Sequence, residues 1–310
     1  MRKYKGIDIG RFIFACLIPI LHIPFSDSVL IDIIRQYICR LGVPFFFAVS
    51  GMFLSKSIEK YGVNAALKRY LIRVGRVLLI WLLIYSPLLI RGSDSYLGLL
   101  QQIMFKTPAF LWYLTSLLVA TIPFCLVKKR KALYGFALVL YIIGTLFGET
   151  YKWLLGGILW YENIFLTTRN GVFFGLPLLC VGELTWKAKR KSISIMIASG
   201  LALTAEIALV GAHAEKMDDR SMYLLLPLFI FALVLMLRDW SSKIDGRYLG
   251  GISSAIYVMQ YGIITVGTMA LQKMPLSGAS AMWLVYIAVI TIPTIFFWLL
   301  RNTKIVKIIF

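Results

Sequence analysis

The stretch Gly6-Ile-Asp-Ile-Gly-Arg-Phe-Ile-Phe-Ala-Cys-Leu-Ile-Pro-Ile-Leu-His-Ile-Pro-Phe25 decides the fold class of this chain. It is long and apolar enough to cross a lipid bilayer as a helix, yet it contains Arg11 and His22. At about 3.6 residues per turn and ~1.5 Å per residue, these side chains are expected on one helix face, roughly 16 Å apart along the axis. Ionisable side chains are costly in hydrocarbon, so the polar face that they form indicates a functional site.

Composition extends this interpretation to the whole chain. Of the 310 residues, 60% are hydrophobic and 15% are charged, and the mean hydropathy is +0.82. Soluble domains are about half apolar and about a quarter charged. Residues 1–310 are therefore predicted to form a single all-α domain, a polytopic bundle of membrane helices, with no room for a sizeable soluble domain.

Ten apolar runs are predicted to cross the membrane, and the basic residues between them set the orientation. Lysines and arginines concentrate in every second connecting segment and at both ends, so both termini are expected in the cytoplasm. The net charge of +19 then reflects topology and contact with anionic lipid, and nucleic-acid binding is not expected. The predicted spans are 7–25, 35–54, 72–90, 111–127, 132–148, 165–186, 192–212, 222–237, 248–271 and 280–300.

The first apolar segment is interpreted as a retained helix and not as a cleaved signal peptide. Asp8, Arg11 and His22 interrupt it, and no small-residue cleavage site follows. The four cysteines fall in apolar spans without C-x-x-C spacing, so neither a disulfide nor a metal site is predicted.

Three arginines enter the third span from the cytoplasmic side. Arg69, Arg73 and Arg76 recur at spacings of four and three, so they lie on one helix face at the inner membrane surface. Such a face is typical of a basic flank that extends to lipid headgroups. It is equally typical of a phosphate clamp, because arginine presents a fork of donors to phosphoryl oxygens.

Other polar and aromatic residues have two interpretations each. Trp112 and Tyr113 open the fourth span at its outer end, where aromatic belts are common. Arg169 and Asn170 open the sixth span from outside, and they either extend to the membrane surface or line a polar cavity that faces the substrate. Gln260 shares a face of the ninth span with serine and tyrosine residues, which favours interhelical hydrogen bonds.

Four segments, taken in order, resemble the acyltransferase-3 family of integral membrane acyltransferases, and the resemblance covers nearly the whole chain. Arg11 and His22 match its Arg-x10-His pair in the first helix. The other matching segments are Gly42-Val-Pro-Phe-Phe-Phe-Ala-Val-Ser-Gly-Met-Phe53, Arg73-Val-Gly-Arg76 and Leu111-Trp-Tyr-Leu114. No one of these motifs is very specific, but four in order with the right topology are.

The resemblance implies a ten-helix bundle in the bacterial inner membrane that takes an acyl group, usually acetyl, from cytoplasmic acyl-CoA. The acceptor would be a hydroxyl of a cell-surface glycan or lipid-linked sugar at the outer face. In that scheme His22 is the catalytic base or acyl-relay residue, and Arg11 steadies a thioester or pantetheine oxygen. Arg69, Arg73 and Arg76 hold the donor phosphates. Substrate contacts are expected at Trp112, Tyr113, Arg169, Asn170 and Gln260, and no metal is expected.

The chain departs from the family pattern in ways that keep other functions open. Gln260 stands where the ninth-span motif usually has a histidine. No appended extracellular hydrolase-like domain is expected, so a second transfer step would need a partner. The stretch Arg169-Asn-Gly-Val-Phe-Phe-Gly175 also resembles the membrane half of the vancomycin-type serine racemases. A transporter of a small substrate such as serine is therefore the second hypothesis, and a non-catalytic membrane scaffold is the third.

Overall fold

The protein is represented by a computed structural model that describes residues 4–24, 29–89, 110–151, 153–154, 167–189, 192–213, 220–241, 246, 248–271 and 278–309. Within these ranges all regular structure is helical, which confirms the all-α prediction. The α-helices are α1 (Lys5–Leu17), α2 (Val29–Tyr37), α3 (Gly42–Tyr61), α4 (Val63–Leu89), α5 (Trp112–Leu126), α6 (Arg130–Leu146), α7 (Leu176–Lys187), α8 (Ile193–His213), α9 (Leu226–Arg238), α10 (Leu249–Leu271), α11 (Gly278–Leu300) and α12 (Val306–Ile309). Short 3₁₀ segments cover Ile18–Leu21, Cys39–Leu41 and Glu149–Tyr151, and one π turn covers Gly171–Gly175.

Several helices are suited to a bilayer by length and composition. Among the described residues, five helical stretches are long and apolar enough to cross it, and α5 and α9 are shorter apolar helices. Their outer faces carry exposed large side chains, such as Leu83 at 73% and Leu299 at 75%, which water would disfavour and lipid would not. The chain is therefore a multi-pass membrane protein. Each predicted span overlaps one of the helices α1 and α3 to α11. Ten crossings and cytoplasmic termini stay a prediction.

The first predicted span is not one continuous α-helix. The α-helical part ends at Leu17, and residues Ile18–Leu21 continue as a 3₁₀ turn. Pro19 is the physical cause, because it has no N–H to donate to the carbonyl four residues earlier. Since a 3₁₀ turn rises about 2.0 Å per residue, Arg11 and His22 are separated by about 19 Å along the axis rather than roughly 16 Å.

The centre of the bundle is the crossing of α3 with α7. The two backbones approach so closely that a Cβ at Gly51 would lie 2.7 Å from the Cα of Leu179. On the opposing helix, a Cβ at Gly182 would lie 2.7 Å from the amide nitrogen of Met52. Small residues that allow such an approach are typical of membrane helix interfaces. This crossing holds α3 in the place where it lines the candidate site.

The other helices surround this centre. Helix α1 packs against α3, α9 and α10, while α4 packs against α3 and α5. Helix α10 also packs against α11, and α8 packs against α9. An internal cavity remains where α1, α3, α4, α5 and α10 converge.

Candidate functional site

The cavity between these helices, called here the inner cavity, has a volume of about 260 Å³. Its wall is apolar for the most part and contains two cations, Arg11 from α1 and Arg73 from α4. Hydroxyl groups complete the polar part of the wall, at Ser50, Tyr113, Ser253, Ser254 and Tyr257. A mostly apolar cavity with a few convergent polar groups is typical of a ligand site.

Arg11 is oriented by the backbone of α10. Its Nη2 donates a hydrogen bond of 3.3 Å to the carbonyl oxygen of Gly250, and its Nη1 lies 3.9 Å from the Oδ1 of Asp8. A Cβ at Gly250 would lie 2.6 Å from Nη1, so the glycine leaves the space that the guanidinium occupies. No sequence pattern links Gly250 to Arg11, because the two positions are distant in the chain.

The three arginines of α4 do not share one environment. Arg73 lines the inner cavity, and its guanidinium carbon also lies 5.6 Å from the ring centre of Tyr70. Arg69 lies over the ring of Tyr61 at 4.1 Å. Arg76 borders a separate shallow groove with apolar neighbours on its own helix. The geometry therefore brings Arg73, and neither of the other two, together with Arg11.

His22 borders a second, smaller space of about 50 Å³, called here the outer cavity. Arg40, Trp112, Arg169 and Ser221 also line it. The imidazole ring stacks on Phe110, with 3.8 Å between ring centres and 15° between ring planes.

Phe110 is itself held in place by α10. Its backbone has a φ of 60°, and its carbonyl oxygen accepts a hydrogen bond of 2.8 Å from the hydroxyl of Tyr257. Its ring contacts Tyr261 edge-on, with ring centres 5.2 Å apart. Phe110 was not among the predicted site residues, and its sequence signal is its position directly before Leu111-Trp-Tyr-Leu114.

Arg35 of α2 fixes the backbone on both sides of His22. Its Nε donates to the carbonyl oxygen of Ile20 at 3.1 Å, and its Nη2 donates to that of Ile23 at 2.8 Å. Its Nη1 contacts the Oδ1 of Asp32 at 3.1 Å. These bonds satisfy carbonyls that the end of the 3₁₀ turn would leave without partners. Arg35 is thus a positioning residue for His22 that no sequence motif revealed.

Two predicted substrate contacts lie at the outer cavity and a third does not. Trp112 lies under the guanidinium of Arg169, 5.1 Å from its carbon atom, and both residues line the cavity. The Oδ1 of Asn170 accepts from the amides of Val172 and Phe173 at 2.8 and 3.1 Å, and Asn170 does not line the cavity. Its side chain caps the π turn that precedes α7.

Tyr113 and Gln260 differ in their hydrogen bonding. The Tyr113 hydroxyl lies 3.1 Å from the hydroxyl of Ser50, on the wall of the inner cavity. Gln260 is 1% exposed, and its Oε1 has no hydrogen-bond partner among the described residues. It lies one helical turn from Tyr257, the residue whose hydroxyl holds the Phe110 carbonyl.

The two cavities lie end to end along α1 and α3. Ile18 and Val43 line both of them, so the same two side chains form the boundary between the space beside Arg11 and the space beside His22. The structure therefore brings the separated sequence motifs to one pair of adjoining cavities.

The chain is similar in sequence to several known proteins. The family model described as an acyltransferase domain matches residues 4–301. An "Amino-acid racemase" of Enterococcus faecalis is 28% identical over an alignment of 303 residues, and the match covers 85% of this chain and 41% of that protein. A second "Amino-acid racemase" of Enterococcus faecalis is 33% identical, and the match covers 78% of this chain and 37% of that protein. A "Serine/alanine racemase" of Enterococcus gallinarum is 26% identical, and the match covers 83% of this chain and 40% of that protein.

The chain thus spans about two fifths of the length of the curated relatives it matches. No solved structure matches it. The family model, by contrast, extends over nearly all of the chain, including every helix that lines the two cavities. The chain therefore belongs to the acyltransferase-3 family of integral membrane acyltransferases.

Proposed function

We propose that this protein transfers an acyl group, acetyl in the first place, from cytoplasmic acyl-CoA to a hydroxyl group at the outer face of the bacterial inner membrane. The acceptor is a cell-surface glycan or a lipid-linked sugar. The observation that carries the proposal is the pair of adjoining cavities, with arginines in the inner one and a histidine beside the outer one. Donor and acceptor can thus approach one another from opposite sides of the membrane.

The inner cavity suits the acyl-bearing arm of CoA better than its nucleotide. A volume of about 260 Å³ is below the range of roughly 300–1,000 Å³ that is usual for whole drug-sized ligands. The nucleotide would then stay at the cytoplasmic surface, with its phosphates beside Arg73 at the edge of the inner cavity. Arg69 and Arg76 lie outside this cavity. Arginine forks bind phosphoryl oxygens with charge-assisted hydrogen bonds.

Arg11 and His22 are too far apart to act on the same atom of the substrate. About 19 Å lies between them along the helix axis, so one thioester carbonyl cannot touch both. Arg11 therefore contacts an oxygen of the pantetheine arm. His22 acts at the reacting carbonyl.

The reaction follows from general-base chemistry at His22. The imidazole accepts the proton of the acceptor hydroxyl while the hydroxyl oxygen forms a bond to the thioester carbonyl carbon. The carbon–sulfur bond then breaks, and the leaving CoA thiolate receives the proton. Stacking on Phe110 and the bonds of Arg35 hold the ring in one orientation for both proton transfers.

The test is transfer of labelled acetyl from acetyl-CoA to envelope glycans by membrane vesicles, in the wild type and in His22→Ala. Loss of a positioned general base is expected to lower the rate ~10²–10⁴-fold without loss of CoA binding. The matched control is His213→Ala, because His213 is the other histidine of the chain and stacks on Trp153 away from both cavities. Near-full activity of His22→Ala would exclude the mechanism.

A second candidate function is transport of a small amino acid such as serine. It is favoured by the relative named "Serine/alanine racemase", which aligns with 83% of this chain. In that case Arg11 would bind the substrate carboxylate inside the inner cavity. Uptake of labelled serine into proteoliposomes that is lost in Arg11→Ala, together with no acyl transfer by the wild type, would establish transport in place of catalysis.

A further inference from the structure

The boundary between the two cavities is made by two aliphatic side chains. Ile18 comes from the beginning of the 3₁₀ turn after α1, and Val43 comes from the first turn of α3. Both line the inner cavity of about 260 Å³ and the outer cavity of about 50 Å³. A group that passes directly from the Arg11 side to the His22 side would therefore contact both side chains.

Ile18 is held tightly at this boundary. It is 5% exposed, and a Cβ added at Gly42 would lie 2.8 Å from its Cγ1 and 3.0 Å from its Cδ1. The side chain thus rests on the backbone of α3, directly beside Val43. Protein interiors are close-packed, so a side chain in this position cannot move aside freely.

The space beyond the boundary is small. The outer cavity has about one fifth of the volume of the inner one. A short acyl group can enter it, whereas each additional methylene must displace Ile18, Val43 or the ring stack of His22 on Phe110. In a hydrophobic pocket, one methylene typically changes the specificity ratio ~10–200-fold.

We propose that Ile18 and Val43 determine which acyl groups reach His22, and that they restrict the enzyme to short chains. This inference rests on the proposed function and adds the specificity-determining residues to it. The inner cavity accepts the arm of CoA whatever acyl group it carries, and the selection is made at the boundary.

The experiment compares acetyl-, propionyl-, butyryl- and hexanoyl-CoA as donors for the wild type, Ile18→Ala and Val43→Ala, with kcat/KM for each donor. The wild type is expected to lose tenfold or more for each added methylene. Both variants are expected to flatten this dependence, so that the ratio of butyryl to acetyl transfer rises at least tenfold. Ile18→Val removes one methylene without opening a large cavity, and it should raise the ratio in the same direction by a smaller factor.

The matched control is Val77→Ala. Val77 is buried and lines the inner cavity without reaching the outer one, so a loss of volume equal to that in Val43→Ala should leave the butyryl-to-acetyl ratio at the wild-type value. Wild-type ratios in Ile18→Ala, Ile18→Val and Val43→Ala would overturn the inference and leave the proposed function intact. Equal use of all four donors by the wild type would overturn it in the same way. A wild type that transfers no acyl group from any donor would remove the proposed function and this inference together.

Discussion

At the scale of single residues, the site depends on side chains whose partners come from distant parts of the chain. Arg11 is oriented by Gly250, and His22 is oriented by Arg35 and Phe110. Arg73 and Arg76 have the same residue type and lie one turn apart on α4, yet Arg73 lines the inner cavity and Arg76 borders an apolar groove. That difference permits a direct test of the proposed donor site.

Arg73→Ala is expected to weaken CoA binding tenfold or more, because it removes a charge-assisted contact worth ~1.5–3 kcal/mol. Arg76→Ala is the matched variant and should change the dissociation constant by less than about threefold. Isothermal titration calorimetry of the purified protein measures both values. Equal losses in the two variants would contradict the assignment of the donor phosphates to Arg73, and unchanged affinity in both would remove the phosphate clamp.

At the scale of helices, the crossing of α3 with α7 determines whether the cavities exist at all. Helix α3 contributes Val43 to both cavities and Ser50 to the inner one, and it is held against α7 through Gly51 and Gly182. A side chain at either glycine would separate the two backbones and shift the wall of the inner cavity. The stability of this crossing is therefore linked to the geometry of the site.

Gly182→Ala is expected to destabilise the protein by ~1–3 kcal/mol, the usual cost of overpacking a tight interior. Gly75→Ala is the control, because Gly75 also lies within a helix but has nothing within 4 Å of the position of an added Cβ. That substitution should be neutral or stabilising by ~0.5–1 kcal/mol, since alanine favours the helix. Thermal unfolding in detergent reports both effects. A lower melting temperature for Gly75→Ala than for Gly182→Ala would argue against the crossing as described.

At the scale of the whole molecule, the proposed function requires a defined orientation in the membrane. Arg73 must meet the cytoplasm, where acyl-CoA is found, and the cavity beside His22 must open toward the outer face. The distribution of lysine and arginine between the apolar runs predicts this orientation with both termini inside. The exposed apolar faces of the outer helices agree with a bundle surrounded by lipid.

Reporter fusions test the orientation. Fusions after Lys60, Arg130 and Lys189 are expected to report the cytoplasm, because basic residues surround these points. Fusions after Gly148 and Asp218 are expected to report the outer side. A paired set of alkaline phosphatase and green fluorescent protein fusions provides the internal control at each position. Consistent inversion at even one neighbouring pair would contradict the ten-span topology.

The sequence by itself determined the fold class and roughly where most of the helices lie, but it did not predict α2 or the early end of α1 at Leu17. Long apolar runs cannot leave their backbone polar groups unpaired in lipid, so they become helices whatever their neighbours are, and each predicted span overlaps one. It also determined which residue types are worth attention, because Arg11 and His22 are costly wherever lipid is the solvent. The motifs that resemble the acyltransferase-3 family are local in the chain, and the family assignment followed from them.

Only the tertiary structure decided which of these residues meet. The spacing on α4 predicts a shared face for three arginines, but the packing of α4 against α3 and α5 leaves only Arg73 of the three at the inner cavity. The boundary at Ile18 and Val43 was also decided by the tertiary structure. In the sequence these two residues are indistinguishable from ordinary core residues. Their role depends on how two helices face each other, and that arrangement is set by contacts between residues far apart in the chain, such as Gly51 with Leu179.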